Sequence, residues 1–187
     1  MTVGVLLLAA GSSRRFGADK RLAAFADGQT VLERTLTNIA AADLPCRVCL
    51  SSVDMAMTVT MPRGDIEIIY CSDAQLGMGA TLAEGMKDLS AWTGVLIALA
   101  DMPWLLPQTY RSIACHTTPS TICTPVHGGR RGNPVGFGKH FFPELRQCRG
   151  DTGARDLIER RSTAIRALEV ADSGVLRDID EPADLPD

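Results

Sequence analysis

Short apolar runs, separated by turn residues, alternate along this chain with segments of helical apolar spacing. Runs rich in Val, Ile and Leu predict strands at residues 3–8, 46–53, 66–70, 95–99, 121–124, 134–137 and 164–170. The spacing between them predicts helices at residues 31–42, 80–89, 107–115, 141–148 and 153–161. The first and fourth strands are apolar enough to be buried on both faces. The alternation therefore predicts an α/β fold with a mostly parallel sheet and these two strands at its centre.

Composition adds limits to this picture. The chain has 187 residues, 45% apolar and 22% charged, without internal repeats or linker-like stretches, so we expect a single domain over residues 1–187. With 19 basic and 22 acidic residues the net charge is −3, which gives no bulk positive field for nucleic acid or an anionic membrane. The apolar runs are too short to cross a bilayer, and the first arginines follow the first run instead of preceding it. We therefore expect a cytoplasmic protein.

The cysteines and histidines give little support to metal or redox chemistry. Six cysteines are scattered among apolar neighbours, so we expect reduced core thiols. Cys46 and Cys49 have the spacing of a C-x-x-C pair, but no second Cys or His pair follows at zinc spacing. The three histidines also lack ligand spacing, and we assign them to the surface or to packing.

The segment after the first predicted strand has the composition of a phosphate site. It reads Leu8-Ala9-Ala10-Gly11-Ser12-Ser13-Arg14-Arg15-Phe16-Gly17-Ala18-Asp19-Lys20. Small residues allow backbone N–H groups to approach phosphate oxygens, and the cations that follow neutralise phosphate charge. The spacing of its glycines and Lys20 fits neither a P-loop nor a G-x-G-x-x-G fingerprint. An ordinary turn with solvated arginines is the alternative.

The wider pattern, L-A-A-G-x-S-x-R-x-x-G-x-x-K, resembles the signature of the MobA-like nucleotidyltransferases, including molybdenum cofactor cytidylyltransferases. Phe16 stands where Met is usual in that family. The resemblance implies a three-layer Rossmann-like nucleotidyltransferase fold, with Arg15 and Lys20 as catalytic cations. It also implies nucleotide contacts at Leu8, Ala9, Ala10, Gly11, Ser12, Ser13, Arg15 and Lys20. In the family, Leu-Ala-Ala-Gly accompanies cytidine and Leu-Ala-Gly-Gly accompanies guanosine, so Ala10 points to CTP.

A second glycine-rich segment precedes the predicted helix at 80–89 and is similar to a family motif that lines the nucleotide pocket. The implied nucleotide contacts are Gln75, Gly77, Met78 and Gly79. Glycines at a helix entry permit close backbone approach to a base or a phosphate. Ala80 stands where the family has Ser, which removes one side-chain hydrogen bond. A helix entry without a ligand is the alternative interpretation.

Two aspartates are the predicted metal ligands. Asp101 follows the fourth strand in Ala-Asp-Met-Pro, which resembles the family motif that holds Mg²⁺ against the triphosphate. A partner comes from the C-terminal Asp178-Ile-Asp180 segment, where we select Asp180. Mg²⁺ takes one or two carboxylates together with phosphates and waters, so two aspartates suffice. Capping of the last helix is the alternative, or additional, role of Asp180.

The acceptor side departs most from the family. Two segments resemble family motifs there, Gly132-Asn133-Pro134 and Gly150-Asp-Thr-Gly-Ala-Arg155. The predicted acceptor contacts are Arg131, Asn133, Pro134, Asp151 and Arg155. The family usually has His where this chain has Asn133. A solvated hairpin tip at Arg131 and plain helix capping at Asp151 or Thr152 are equally open.

The resemblance implies that the phosphate of molybdopterin attacks the α-phosphorus of CTP in a Mg²⁺-dependent reaction and that pyrophosphate leaves. The product is the dinucleotide cofactor used by xanthine-dehydrogenase-type molybdoenzymes, which are candidate partners. A nucleotidyltransferase acting on a sugar phosphate or another phosphorylated acceptor is the nearest alternative. A cofactor-handling chaperone without turnover is a third, although Arg15, Lys20 and Asp101 are all present.

Overall fold

The computed structural model describes residues 2–11, 16–57 and 60–185. Within these ranges eight strands form one sheet: β1 (Val3–Leu8), β2 (Cys46–Ser51), β3 (Ile66–Cys71), β4 (Gly94–Leu99), β5 (Ile122–His127), β6 (Arg130–Arg131), β7 (Val135–Gly138) and β8 (Ile165–Glu169). The α-helices are α1 (Val31–Ala41), α2 (Met78–Gly85), α3 (Pro107–His116), α4 (Phe142–Leu145) and α5 (Arg155–Arg160). Short 3₁₀ turns lie at Lys20–Leu22, Ser52–Asp54, Ala74–Leu76, Lys139–Phe141, Ser162–Ala164, Ser173–Leu176 and Pro182–Asp184.

The sheet is mostly parallel, as predicted. Its order is β3-β2-β1-β4-β7-β5-β6, and β8 pairs with β5. Only β7 and β6 run against the other strands. The two apolar strands, β1 and β4, are neighbours at the centre and pair in parallel from Val3↔Gly94 to Leu8↔Leu99. Their carboxyl ends therefore meet at one edge of the sheet, where open α/β sheets bind ligands.

Helices cover both faces of the sheet, which confirms the three-layer α/β architecture. Alternate residues of β1 point to opposite faces, so Val5 and Leu7 pack with α1 and α3. Leu6 and Leu8 pack with α2, α4 and α5. The α1 helix begins with a capping box in which Thr30 and Glu33 satisfy each other's backbone N–H groups.

Several predicted boundaries differ from the structure. Residues 52–53, predicted as strand, begin a 3₁₀ turn. The α2 helix begins at Met78 and ends at Gly85, although residues 80–89 were predicted. The guanidinium of Arg47 accounts for that end, because it donates to the carbonyls of Gly85 and Lys87 and satisfies groups that a longer helix would bond internally. The predicted helix at 141–148 is a 3₁₀ turn followed by the four-residue α4.

The chain folds back to the carboxyl edge of the sheet through residues 172–180, which we call the C-terminal strap. Asp172 accepts hydrogen bonds from the backbone of Leu106 and the hydroxyl of Thr109 at the start of α3, at 2.9 and 2.6 Å. The carbonyl of Val175 accepts from Asn133 N at 2.9 Å. A Cβ on Gly132 would lie 2.2 Å from that same carbonyl oxygen, so only glycine fits there. The strap is thus held against both α3 and the start of β7.

All six cysteines are free thiols, as expected, and Cys115 is the one that is exposed. Cys46 and Cys49 point to opposite faces of β2, because they are three residues apart in a strand. This arrangement explains why the C-x-x-C spacing makes no pair. None of the helices within the described ranges has the length and hydrophobicity that crossing a bilayer requires.

Candidate active site

A cleft of about 1070 Å³ opens at the carboxyl edge of the sheet. One side is formed by the segments that follow β1, β2 and β4, and the other by the segment before α2 and the turn before α5. Residues lining it are Leu8, Ala9, Ala10, Gly11, Phe16, Lys20, Arg21, Ser51, Val53, Asp54, Ala74, Gln75, Leu76, Gly77, Met78, Thr81, Leu99, Ala100, Asp101, Asp151, Arg155, Asp178 and Asp180. The volume is sufficient for a ligand of nucleotide size.

Three carboxylates and one ammonium group meet at one end of the cleft. The side chains of Asp101, Asp178 and Asp180 each offer an oxygen within 4.8 Å of the others. Lys20 Nζ donates to Asp101 Oδ2 at 2.6 Å and to Asp180 Oδ1 at 3.2 Å. It also donates to the carbonyl of Ile179 at 2.8 Å. The structure thus brings together Lys20, Asp101 and Asp180, which lie up to 160 residues apart in sequence.

The alternation of buried and exposed residues along the strap explains how its two aspartates reach the cleft. Ile179 is fully buried and packs with Phe25 and Val31. Its N–H donates to the carbonyl of Asp101 at 2.9 Å, so the aspartates on either side of Ile179 lie next to Asp101. Asp178, which we had not selected from the sequence, is a third candidate ligand. The Asp-x-Asp spacing carried that signal.

The capping role considered for Asp180 is wrong. Residue Glu181 is the N-cap of the turn Pro182–Asp184. The carboxylate of Asp184 accepts from the N–H groups of Asp180 and Glu181, at 2.9 and 2.8 Å. Asp180 contributes its backbone N–H to this turn, and its carboxylate contacts Lys20 in the cleft.

The electrostatics of this end suit a divalent cation. Burial raises the pKa of Asp101, and the neighbouring carboxylate of Asp178 adds to that effect while Lys20 opposes it. Burial also opposes the charge of Lys20, but its contacts with Asp101 and Asp180 outweigh it and raise the pKa. Within the described part of the chain, Asp101 Oδ1 is buried and has no hydrogen-bond partner. A buried oxygen beside two further carboxylates is a donor set that Mg²⁺ or Mn²⁺ accepts.

The segment that leaves β1 forms the floor of the cleft. Ala9 N donates to the carbonyl of Cys49 at 2.9 Å, which continues the pairing of β1 with β2 by one residue. Leu8, Ala9, Ala10 and Gly11 all line the cleft, as the sequence predicts for a nucleotide-binding segment. The predicted contacts Ser12, Ser13 and Arg15 lie outside the described residues.

Beside this floor lies a buried ion network that no sequence motif predicts. The side chain of Arg21 is 9% exposed and lies between Asp19 and Asp54, each at 2.6 Å from a guanidinium nitrogen. Burial opposes its charge, but both carboxylates outweigh that effect and raise the pKa of Arg21. Asp54 is 33 residues away in sequence, and no motif links the two positions.

The opposite wall joins the two glycine-rich motifs. Gly77 has φ +107°, and a Cβ there would lie 2.4 Å from an oxygen of Asp151 and 2.6 Å from the backbone of Gly150. Gly79 N donates to the carbonyl of Gly150 at 2.7 Å. Asp151 and Arg155, predicted as acceptor contacts, therefore share a wall with Gln75, Gly77 and Met78, predicted as nucleotide contacts. Gly79 is buried behind that wall.

The capping role considered for Asp151 or Thr152 is wrong. The N-cap of α5 is Ala154, and no side chain caps it in the described structure. The hydroxyl of Thr152 instead donates to Asp156 within the first turn, at 3.2 Å. Asp151 and Arg155 are both exposed on the cleft wall.

The remaining predicted acceptor residues lie beyond the described lining of the cleft. Arg131 is exposed on β6, which pairs with β5 across a two-glycine turn. Asn133 and Pro134 precede β7, whose Val135 pairs with Ile97 of β4, so they lie near the sheet edge where β4 ends. Asn133 is tied to the strap through its N–H.

Comparison with known proteins agrees with this architecture. The family model described as MobA-like NTP transferase domain matches residues 5–165. The purine catabolism protein PucB of Bacillus subtilis is 28% identical over 191 residues, which cover 96% of this chain and 92% of PucB. Nicotine blue oxidoreductase of Paenarthrobacter nicotinovorans is 22% identical over 186 residues, covering 94% of this chain and 90% of the relative.

Among solved structures, Rv0371c from Mycobacterium tuberculosis H37Rv is 26% identical with a TM-score of 0.81, covering 98% of this chain and 95% of that one. The complex of Rv0371c with manganese has a TM-score of 0.74 and covers 91% of this chain and 89% of that one. The likeness to Rv0371c extends over nearly the whole of both chains and agrees with the α/β fold described above.

Proposed function

Because this chain belongs to the MobA-like NTP transferase domain family, we propose that it transfers CMP from CTP to the phosphate of molybdopterin. A phosphate oxygen of the acceptor forms a bond to the α-phosphorus of CTP. The bond from the α-phosphorus to the bridging oxygen breaks, and pyrophosphate leaves with that electron pair. Such a transfer needs positioning and charge neutralisation more than covalent help from the protein.

The observation that carries the proposal is the meeting of Lys20 with Asp101, Asp178 and Asp180 beside the Ala9–Ala10 floor. Three carboxylates alone would repel a triphosphate, so the site requires cations between protein and substrate. A divalent ion held by these carboxylates, Mg²⁺ in our proposal, would supply Lewis-acid stabilisation of charge on the phosphates. Rv0371c has been solved as a complex with manganese, which agrees with the use of a divalent ion.

The chain's own residues supply binding and orientation. Asp101 follows a buried central strand and is the least exposed of the three carboxylates, and Asp178 and Asp180 approach it from the strap. Lys20 neutralises charge on the triphosphate, a role that we also assign to Arg15. The backbone of Ala9, Ala10 and Gly11 faces the nucleotide, and Ala10 is the residue that favours cytidine.

We place the acceptor along the wall that contains Asp151 and Arg155, where a guanidinium group can pair with the acceptor phosphate. Asn133 and Pro134 orient the acceptor from the sheet edge, and Arg131 contributes from the hairpin. We further propose that a xanthine-dehydrogenase-type molybdoenzyme receives the product. Xanthine is a purine, and the relative PucB is named for purine catabolism, which agrees with that recipient.

The test is a turnover assay with purified protein, MgCl₂ and α-³²P-labelled nucleotides, scored for pyrophosphate release and for labelled product. We expect CTP with molybdopterin to be turned over with a kcat/KM at least tenfold above GTP with molybdopterin. Glucose 1-phosphate should give no labelled product with either nucleotide. Asp101→Asn, which keeps the shape of the side chain but removes its charge, should lose at least 100-fold in kcat.

Other results of this assay would change the proposed substrate, the proposed base selection or the proposed activity. Turnover of CTP with a sugar phosphate but not with molybdopterin would make the protein a sugar nucleotidyltransferase. Equal kcat/KM for GTP and CTP would remove Ala10 from base selection. Tight molybdopterin binding without pyrophosphate release from any nucleotide would indicate a cofactor-handling protein and contradict the proposed activity.

A further inference from the structure

Arg21 takes no part in the proposed chemistry, yet its guanidinium group is among the most fully bonded charged groups of the described structure. Nε and Nη2 donate to the two oxygens of Asp19, at 2.8 and 2.6 Å. Nη1 and Nη2 donate to the two oxygens of Asp54, at 2.6 and 2.9 Å. Nη1 also donates to the carbonyl of Ala9. Both forks of the guanidinium are therefore paired with carboxylates.

These contacts tie together three segments that surround the nucleotide floor. Ala9 directly follows β1, and Asp19 is the N-cap of the turn Lys20–Leu22. Asp54 belongs to the turn that follows β2, where its carboxylate also accepts from Ser51 N at 3.0 Å. Arg21 thus joins the end of β1, the turn that contains Lys20 and the turn that follows β2.

The consequence concerns the distance between two nucleotide contacts. Ala9 and Ala10 follow β1 on one side of Arg21, and Lys20, between Asp19 and Arg21, lies on the other. Groups that are held in place before a nucleotide binds lose less conformational entropy on binding than mobile groups do. Two bidentate carboxylate pairs give the described segments such a rigid connection.

Resting on the proposed nucleotide-binding role of this cleft, we propose that Arg21 is a positioning residue for the nucleoside triphosphate. It holds the backbone of Ala9 and Ala10 and the ammonium of Lys20 at a fixed separation, so that one bound nucleotide contacts both. Its action is on nucleotide affinity, and it acts through these neighbours without a bond to the reacting atoms.

The chain offers a matched control in Arg47. This side chain is as deeply buried, at 8% residue exposure against 7% for Arg21. It bonds to Glu67 at 2.7 Å and to the carbonyls of Gly85 and Lys87, and none of these residues lines the cleft. If the loss of any buried, paired arginine weakened CTP binding through the fold alone, substitutions of Arg21 and of Arg47 would therefore weaken it equally.

The experiment compares Arg21→Lys, Asp54→Asn and Arg47→Lys. Lysine keeps the charge but cannot make two bidentate pairs, and Asp54→Asn removes the charge from one fork while keeping its shape. Affinity for CTP with MgCl₂ is measured by titration calorimetry without acceptor, and Tm, kcat and both KM values are measured beside it. We expect Arg21→Lys and Asp54→Asn to weaken CTP binding at least tenfold, with kcat at saturation and acceptor KM within threefold of wild type.

Arg47→Lys should lower Tm by a similar amount and leave CTP affinity within twofold. CTP affinity that stays within twofold in both Arg21→Lys and Asp54→Asn, or that falls equally in Arg47→Lys, would overturn the proposal. If Arg21→Lys does not fold, Asp54→Asn decides alone. Titration of the wild-type protein with ATP, GTP, CTP and UTP, carried out first, separates this proposal from the proposed CTP specificity. A preference for another base contradicts CTP specificity. The comparison of the arginine variants then uses the preferred nucleotide.

Discussion

Lys20 places a positive charge where the proposed metal ion would also bind. Its ammonium contacts Asp101, Asp180 and the carbonyl of Ile179, and these are oxygen ligands of the kind that a divalent cation uses. A cation that enters without nucleotide therefore competes with Lys20 for Asp101 and Asp180. When nucleotide enters as well, the triphosphate offers the ammonium a second anionic partner.

This competition leads to a prediction for Lys20→Met, which keeps the length of the side chain without its charge. We expect Mn²⁺ alone to bind at least tenfold more tightly to the variant than to wild type, since the ammonium group no longer competes for Asp101 and Asp180. Turnover should fall at the same time, because the triphosphate loses a cation. Electron paramagnetic resonance of free Mn²⁺ measures the affinity, and Lys87→Met, which removes an exposed lysine paired with Glu84, is the control. Equal Mn²⁺ affinity in all three proteins would show that Lys20 does not compete for this site.

At the same scale, the sequence predicted site residues that belong to motifs and missed those that depend on distant contacts. Lys20, Asp101 and Asp180 stand out because each occupies a distinctive place at the end of a strand or in a short motif. Arg21 and Asp54 meet only after β1 and β2 pair, across 33 residues of sequence, and neither residue type is unusual in a loop. Their partnership is a property of the sheet order, which residue patterns alone do not contain.

At the scale of elements, α1 shows how a local rule is completed by tertiary structure. The predicted start of the helix is present as a capping box between Thr30 and Glu33. Glu33 also accepts from Thr60 N at 3.0 Å, a contact that sequence spacing does not indicate. Hydrogen bonds from the backbone of Thr30 and of Thr60 lower the pKa of Glu33 to about 2 from its usual 4.5.

The lowered pKa predicts a pH-dependent stability. Ionised Glu33 stabilises the fold fully above pH 4.5, and this contribution is lost as the pH falls towards about 2, since the folded protein must then bind the proton. We expect Glu33→Gln to lower the free energy of unfolding by about 1 kcal/mol at pH 7 and by progressively less below pH 4.5. Urea denaturation across this range measures the difference, with Glu159→Gln on the exposed face of α5 as control. If the difference in the free energy of unfolding between Glu33→Gln and wild type did not change with pH, the charge of Glu33 would not explain it.

Elements whose ends depend on packing were predicted less well. The apolar pattern of residues 80–89 continues beyond the end of α2, because Met86 and Leu89 remain buried after the helix stops at Gly85. Leu89 is 3% exposed although it lies outside the helix, so this residue is buried without being helical. Periodicity reports burial, and it therefore predicted the presence of α2 but placed its boundaries incorrectly.

At the scale of the whole molecule, the strap connects the last part of the chain to α3, to the start of β7 and to the core. Asp172 fixes one end of the strap with hydrogen bonds from Leu106 N, Thr109 Oγ1 and Gly174 N, at 2.9, 2.6 and 2.8 Å. Ile179 fixes the other end by burial. Asp178 and Asp180 therefore have their positions set by contacts with α3 and the core, and the acidic cluster depends on long-range packing.

This dependence gives a prediction that links stability to metal binding. Asp172→Ala leaves buried donors at the start of α3 without an acceptor, so we expect the free energy of unfolding to fall by about 3 kcal/mol. Because the strap then loses its attachment to α3, affinity for Mn²⁺ should fall at least fivefold, as Asp178 and Asp180 become less well placed. Asp172→Asn keeps an acceptor oxygen and should retain much of both properties, and Asp156→Ala on α5 should change neither. Calorimetric unfolding and Mn²⁺ titration on the same samples provide the comparison. A loss of stability in Asp172→Ala with unchanged Mn²⁺ affinity would mean that the contacts of Val175 and Ile179 position the carboxylates, and that the attachment to α3 serves only the packing of the fold.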